Sequence, residues 1–377
     1  MIWELETVTP FIIKRGIKFS LFDIYEDNGI LFRFDTDKFV ENLDQPGLEI
    51  LEQLFEEYFF LKSGNKGRKK DADYKEIWKK INDFYLKNDA KKYKIYPGII
   101  KNESFYKNND FDENISVEIR INNEIKHVPY IPGSSLKGSI KRLLIYEYIS
   151  RHLSNLHFSL ERSKENGKMN EFFKETMSSI QISDFYPDNT FKIKMIKLMR
   201  SSSTIEQNTP MISSGKFYGE VKVNLVNNKA TENFSQIGLT GNNAQIEEKI
   251  LQIVLKNSSS IFKRNNEKFL GNPYFGPTDD KNLIAIGFGK GLSLSGFAAV
   301  KNDLKLKLPK IKTISKGKQD NWIEQDFQKT NLVFDSCIGG TRLKSKVGIM
   351  RVSAINGYNN VTELAQLKYL IDPEGGT

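Results

Sequence analysis

The sequence predicts an α+β protein of two modules, each an antiparallel sheet with helices packed on one side. The chain has 377 residues, long for one core, so two domains are expected. Hydrophobic residues make up 39% and aromatic residues 12%, enough to bury a core and too many for a disordered chain. Segments of period 2 and period 3.6 come in the order strand, helix, strands, then a second strand-and-helix set, which favours α+β layers. The expected modules are 1–175 and 176–377, with no repeat visible residue by residue.

Trp3 to Lys14 reads as a strand and Gly29 to Phe34 as another. Asp35, Thr36 and Asp37 offer an N-cap for a helix through Leu43, which Pro46-Gly47 breaks. Leu51, Leu54, Phe55, Tyr58 and Phe59 recur at helical spacing over about 48–60. "SGNKGRKK" (63–70) reads as a loop. Ser116 to Ile121 and His127 to Ile131 read as strands, and a helix is expected from Ser134 to His152. Residues 163–170 are loop-like. Ile180–Phe185, Phe191–Met199 and Phe217–Val226 read as strands, with "SSSTIEQNTPMISSGK" as a long polar loop between the last two. Asn243 to Arg264 is helical by pattern, and Leu283–Gly287 is a strand before a glycine cluster. A short helix near 321–328 and a strand over Val347–Ala354 complete the pattern.

The net charge is +9. Residues 61–100 carry twelve Lys/Arg against five acids, which is most of the excess. Such a basic insertion is either a solvated arm or a surface facing a polyanion, and Arg68, Lys69 and Lys70 are its densest run. A membrane surface is disfavoured because the run shows no amphipathic apolar face. MIWELETVTPF lacks a charged stretch followed by an apolar run, so no signal peptide is expected. Nowhere do 18 apolar residues follow one another, so no spanning helix is expected. Cys337 is the single cysteine, which excludes an internal disulfide and CxxC-type zinc sites. A cytoplasmic protein with no metal and no cofactor is the expectation.

"YIPGSSLKGSIKR" (Tyr130 to Arg142) superficially resembles a phosphate loop. A nucleotide-hydrolysing loop places its lysine immediately after the second glycine. Here Lys137 precedes Gly138, and the two-residue displacement turns it by roughly 200° on a helix. What remains is a helix start: Pro132-Gly133 turns the chain and Ser134 or Ser135 can cap it. With Ser134 at zero, Lys141, Gly138 and Lys137 fall at about −20°, 40° and −60°, while Leu136, Ile140, Leu143 and Glu147 fall at about 180–240°. One face is small and basic, the other largely apolar. Glycine costs about 1 kcal/mol in a helix interior, which makes sense where a ligand or backbone comes close. Ser134, Ser135, Lys137, Gly138, Lys141 and Arg142 therefore suit a phosphodiester.

"AIGFGKGLSLSG" (Ala285–Gly296) follows a strand. A dinucleotide fingerprint fails, because Leu292 stands where its third glycine belongs and Gly291 comes one residue early. Gly287, Gly289, Lys290 and Gly291 suit a loop whose amides touch phosphates.

Taken together, these motifs resemble a known family. Tyr130-Ile-Pro-Gly-Ser-Ser-Leu-Lys-Gly138 before an apolar helix is similar to the hallmark of RAMP proteins of type III CRISPR–Cas effector complexes. The Gly-Phe-Gly-Lys-Gly291 cluster looks like their C-terminal glycine-rich loop. Ile182-Ser-Asp-Phe185, the polar loop to Met211 and the strand at 217–226 resemble the Csm-type subunit that caps the crRNA 3′ end of the type III-A complex. The resemblance covers about 120–300. It implies two ferredoxin-like (RRM-like) modules, binding of a single-stranded crRNA backbone, and contact with the repeated RAMP backbone subunit, with the small helical subunit as a further neighbour. It implies no target-cleaving nuclease. The family's glycine turn after its first strand is matched only by Gly16 beside Lys14 and Arg15, so those two are weaker RNA-binding candidates.

No paired carboxylates or Ser/His/Asp set stands out. His127 with Tyr130 is the one constellation that could serve a metal-independent ribonuclease. His152 and His157 have no acid at ligand spacing. The expected function is a non-catalytic RNA-binding subunit. The alternatives are a ribonuclease that processes the crRNA precursor and a purely protein-bridging subunit.

Overall fold

A computed structural model describes residues 1–63, 71–107, 110–121, 124–152, 172–200, 206–225, 228–268, 274–275, 282–287, 332–338 and 341–357. The chain opens with β1 (Ile2–Thr7), β2 (Lys14–Ser20), β3 (Ile24–Asp27) and β4 (Ile30–Phe34). Three helices follow, α1 (Thr36–Glu41), α2 (Gln45–Ser63) and α3 (Asp71–Lys87). Next come β5 (Lys94–Ile100), β6 (Asp110–Asn114), β7 (Ser116–Ile121), β8 (Glu124–Pro129) and α4 (Gly133–His152). A helical stretch at 172–178 leads to β9 (Ile180–Ile182), β10 (Tyr186–Pro187), β11 (Lys192–Arg200), β12 (Glu206–Ser214) and β13 (Lys216–Val223). Then come α5 (Asn228–Ile237), α6 (Asn243–Lys268), β14 (Tyr274–Phe275) and β15 (Leu283–Ala285). The last strands are β16 (Leu332–Ile338), β17 (Thr341–Lys346) and β18 (Ile349–Ile355).

The expected α+β class is what forms, with largely antiparallel sheets. One sheet runs β10-β13-β1-β18-β15, with β9 also on β13. The other runs β14-β17-β16-β11-β5-β4-β3, with β12 on β11 and β7 joined through β8 to β5. Its pairs β5–β8, β5–β11 and β14–β17 are parallel, which the strand pattern alone did not signal. Each sheet takes strands from both sides of residue 175. β1 lies between β13 and β18, so its Trp3 and Leu5 are fully buried. α4 and α6 pack on each other over this sheet, and α6 also lies against β13 and β15. Asn257 on α6 donates to the Leu143 carbonyl (3.1 Å) and to Glu147 Oε2 (3.1 Å). Leu136, Ile140, Leu143 and Glu147 are buried, as their shared apolar face requires.

Two stretches correct the sequence reading. α3 takes up 17 residues of the basic segment 61–100, and its Ile77, Trp78, Ile81, Phe84 and Tyr85 are buried while Lys75, Lys79, Lys80 and Lys87 face out. The segment does have an apolar face, and the fold uses it: Tyr85 Oη donates to the Phe22 carbonyl (2.9 Å), and Asn82 Oδ1 accepts from Glu26 N (2.6 Å). The polar stretch before β13 contains β12 rather than only loop. Pro210 removes a donor there, which is tolerated because β11 is the one named strand with which β12 pairs. Arg68, Lys69, Lys70, Gly289, Lys290, Gly291 and the helix expected near 321–328 lie outside the described residues. No helix among the described residues is long and apolar enough to cross a membrane.

Candidate nucleic-acid interface

The start of α4 is built by two distant segments. Ile131 and Phe185 exchange backbone hydrogen bonds of 2.9 Å in both directions. This places Ile182–Phe185 against Pro132-Gly133. A Cβ on Gly133 would stand 2.2 Å from the Ile182 carbonyl oxygen, so only glycine fits. The Gly133 amide donates to Asp184 Oδ1 (2.9 Å) and the Ser135 amide to the Pro132 carbonyl (2.9 Å). The anion at this helix terminus is therefore the protein's own Asp184, in place of the expected serine cap. The first-turn amides expected to meet a phosphate are thus partly taken by the protein's own carboxylate, and the side chains beyond them remain as candidates.

Those side chains are sorted by the fold. Lys137 is half-buried, its Nζ donates to the Ile180 carbonyl (2.7 Å), and burial pushes its pKa down. It straps α4 to β9. Ser134 is exposed, while Ser135, Gly138, Lys141 and Arg142 are half-exposed. No atom lies within 4 Å of a Cβ built on Gly138, so this chain's own packing does not demand glycine there. Just before α4, Tyr130 and Tyr186 stack at 5.8 Å with ring planes 29° apart. Half-exposed cationic side chains and a half-exposed aromatic pair are the residue types that single-stranded nucleic acid sites use.

The second turn of α4 holds the other predicted segment. Ser139 is buried and its Oγ donates to the Ala285 carbonyl (2.9 Å). Gly287 follows with φ +75°, and a Cβ there would meet the Ile12 carbonyl oxygen at 2.7 Å. Ile286 N donates to the Gly348 carbonyl (2.8 Å), and Gly348 N to that of Pro10 (2.9 Å). The helix, the first residue of the glycine cluster and the segment after β1 thus pack together. Lys14 and Arg15 continue that segment onto β2, where Lys14 Nζ meets Asp112 Oδ2 at 2.6 Å and Arg15 reaches Glu113 Oε1 at 3.7 Å.

Glu113 is a hub that sequence reasoning missed. Its Oε1 accepts from Arg33 (2.6 Å) and lies 3.3 Å from His127 Nδ1. Burial works against the charge, yet the hydrogen bond to His127 and the Arg33 guanidinium outweigh it and hold the carboxyl at about 2. Ser116 Oγ also lies on His127 Nδ1, at 3.4 Å. Serine and carboxylate share one ring nitrogen, whereas a relay needs them on opposite nitrogens. Tyr130 is stacked on Tyr186. No spacing rule flags Arg33 or Glu113, because they sit inside strands. Asp184 was visible within Ile182–Phe185 without its role.

The model of the RAMP superfamily matches residues 4–340. The chain belongs to the RAMP superfamily. Among solved structures, this RAMP protein is similar to a chain of a Csm–crRNA–target RNA ternary complex of a type III-A CRISPR–Cas system, solved by electron cryomicroscopy. The two share 16% identity over 94% of this chain and 100% of the other, with a TM-score of 0.53. It is also similar to Csm5 of T. onnurineus, with 17% identity over 92% and 99% of the two chains and a TM-score of 0.52. At such identities the likeness is one of fold. No curated protein matches the sequence.

Proposed function

We propose that this RAMP protein is a non-catalytic crRNA-binding subunit of a type III-A effector complex. In this reading it caps the guide 3′ end and supports assembly and crRNA maturation in antiviral defence. Its neighbours would be the repeated RAMP backbone subunit and the small helical subunit. The observation that carries the reading is the packing of α4, the Gly287 segment and the chain after β1 into one unit, with Lys141 and Arg142 half-exposed on the same helix. The likeness in fold to a chain of a crRNA-bound complex supports it over its full length. The arrangement at His127 favours binding over cleavage, since its neighbours cluster on a single nitrogen.

The test combines a pull-down and a binding titration. Tagged protein from its native host should co-elute with guide RNA and further RAMP subunits. Purified protein should bind single-stranded RNA with a log–log salt slope of about −0.7 per phosphate neutralised. Replacing Lys141 and Arg142 by glutamate should weaken binding and flatten that slope. Unchanged affinity and slope would reject the interface. RNA cleavage in EDTA, abolished by His127→Ala, would replace this reading with the ribonuclease one.

A further inference from the structure

One face of β4, β5 and β8 carries apolar and aromatic side chains at the surface. Ile30 pairs with Ile100, and Tyr96 pairs with Lys126 of β8, so the side chains of each pair share a face. Phe32 meets Tyr96 edge to face, with ring centroids 5.9 Å apart and planes at 73°. Ile30 and Phe32 fill the space above Gly98, which places them on the same side. Ile30 and Ile100 are 37% and 38% exposed, and Phe32 and Tyr96 are half-exposed.

β8 carries this face towards α4. Half-exposed Lys126, Val128 and Tyr130 are spaced two apart, and Pro129 and Ile131 between and after them are buried, so Tyr130 lies on the side of Lys126. Four residues of strand set Tyr130 about 13 Å along from the Tyr96–Lys126 row, and there it stacks on Tyr186. Among the described residues Tyr96, Tyr130 and Tyr186 join none of the buried hydrophobic clusters. The charge along the face is positive. Lys94 and Lys126 lie on it, and exposed Lys194 of β11 flanks it as the partner of Ile100. Asp27 is paired with Lys91 at 2.9 Å and Asp184 accepts from the Gly133 amide, which leaves exposed Glu124 against three lysines. Aromatic rings set among lysines suit a single strand of nucleic acid, whose bases stack and whose phosphates need cations.

Lys94 Nζ lies over both rings of the first pair, 4.6 Å from the Phe32 centroid and 4.4 Å from that of Tyr96. An exposed cation–π contact is worth about two- to fivefold in an equilibrium, whereas a base stacked on an aromatic ring is worth about five- to hundredfold. An arriving base therefore displaces the ammonium, which turns to the phosphate instead. We propose that single-stranded RNA runs along this face, with one base stacked at the Phe32–Tyr96 pair, another at the Tyr130–Tyr186 pair, and Lys126 on the backbone between them. The proposal rests on the RNA-binding reading above and extends that surface from α4 onto the sheet. Every base has a ring face to stack, so the track selects single strands without selecting sequence.

The experiment titrates the full chain with a ten-nucleotide oligouridylate at several salt concentrations, and maps ultraviolet crosslinks by mass spectrometry. Tyr96→Leu and Tyr130→Leu should each lower affinity about fivefold or more at an unchanged salt slope, because each removes a stack and no charge. Lys126→Gln should instead flatten the slope by about 0.7. Adducts on the wild type, a readout that needs no substitution, should fall on β4, β5, Tyr130 or Tyr186. Affinities within about twofold of wild type for both leucine variants would overturn the track while leaving the RNA reading intact. Adducts confined to α4 and other segments would do the same. No RNA bound by the wild type would overturn both.

Discussion

Replacing Glu113 by glutamine isolates the charge at the centre of the β4–β6–β8 cluster. The carboxyl is held at about 2, against an ordinary value of 4.5. A group whose pKa is lowered by folding stabilises the protein above its unfolded value and loses that contribution as pH falls through the folded one. The pH window therefore runs from about 4.5 down to about 2. The shift corresponds to about 3 kcal/mol at neutral pH, of which about 1.4 kcal/mol remains at pH 3. Urea unfolding of wild type and Glu113→Gln at pH 7, 5, 4 and 3 reads this directly. The stability gap should be about 3 kcal/mol at pH 7 and should roughly halve by pH 3. A gap under about 1 kcal/mol at pH 7, as for an exposed ion pair, would refute the buried-hub argument. So would a gap that stays constant through pH 3.

Two glycines of one helix should behave oppositely. Gly133→Ala drives a Cβ into the Ile182 carbonyl and should lower stability by 2 kcal/mol or more (an order-of-magnitude figure), read as a lower urea midpoint. Gly138→Ala meets nothing within 4 Å and should raise stability by up to about 1 kcal/mol; if RNA approaches that face, its affinity should fall in the same variant. Gly287→Ala combines φ +75° with a 2.7 Å approach to the Ile12 carbonyl and should cost about 1–3 kcal/mol, measured by urea unfolding. Asn257→Leu removes a donor from buried Glu147, leaving Arg151 (2.8 Å) and Lys256 (3.4 Å). A loss of about 1–3 kcal/mol is expected, and hydrogen exchange should show it first where α4 meets α6.

The legible parts of this fold were those where one residue type has one physical use. Asp35 caps α1 as expected, its Oδ1 accepting from Lys38 N at 3.2 Å. The wheel of α4 correctly divided buried Leu136 and Ile140 from half-exposed Lys141. Tertiary partners changed the rest. Lys137 belongs to the basic face by angle, but β9 captures it. Asp184 supplies the carboxylate from fifty-one residues away, a distance no local rule spans. α3 was hidden because charge counting over a window averages its lysine face with its aromatic face. β12 was hidden because polar residues and Pro210 suppress the period-2 signal. The Arg33–Glu113–His127 cluster comes from three strands and exists only once they are aligned.

The placement of β1 between β13 and β18 has a consequence during synthesis. Trp3 pairs with Gly219 on one side and with Ala354 on the other. A ribosome adding about 5–20 residues per second releases β1 roughly 20–70 s before β18 exists. Through that interval a strand whose Trp3 and Leu5 are destined for complete burial has at least one unpaired edge. Nascent chains of this protein should therefore be clients of ribosome-associated chaperones until residues near 355 emerge. Expression without such help should yield aggregates seeded by the first strand rather than by the lysine-rich segment 61–100.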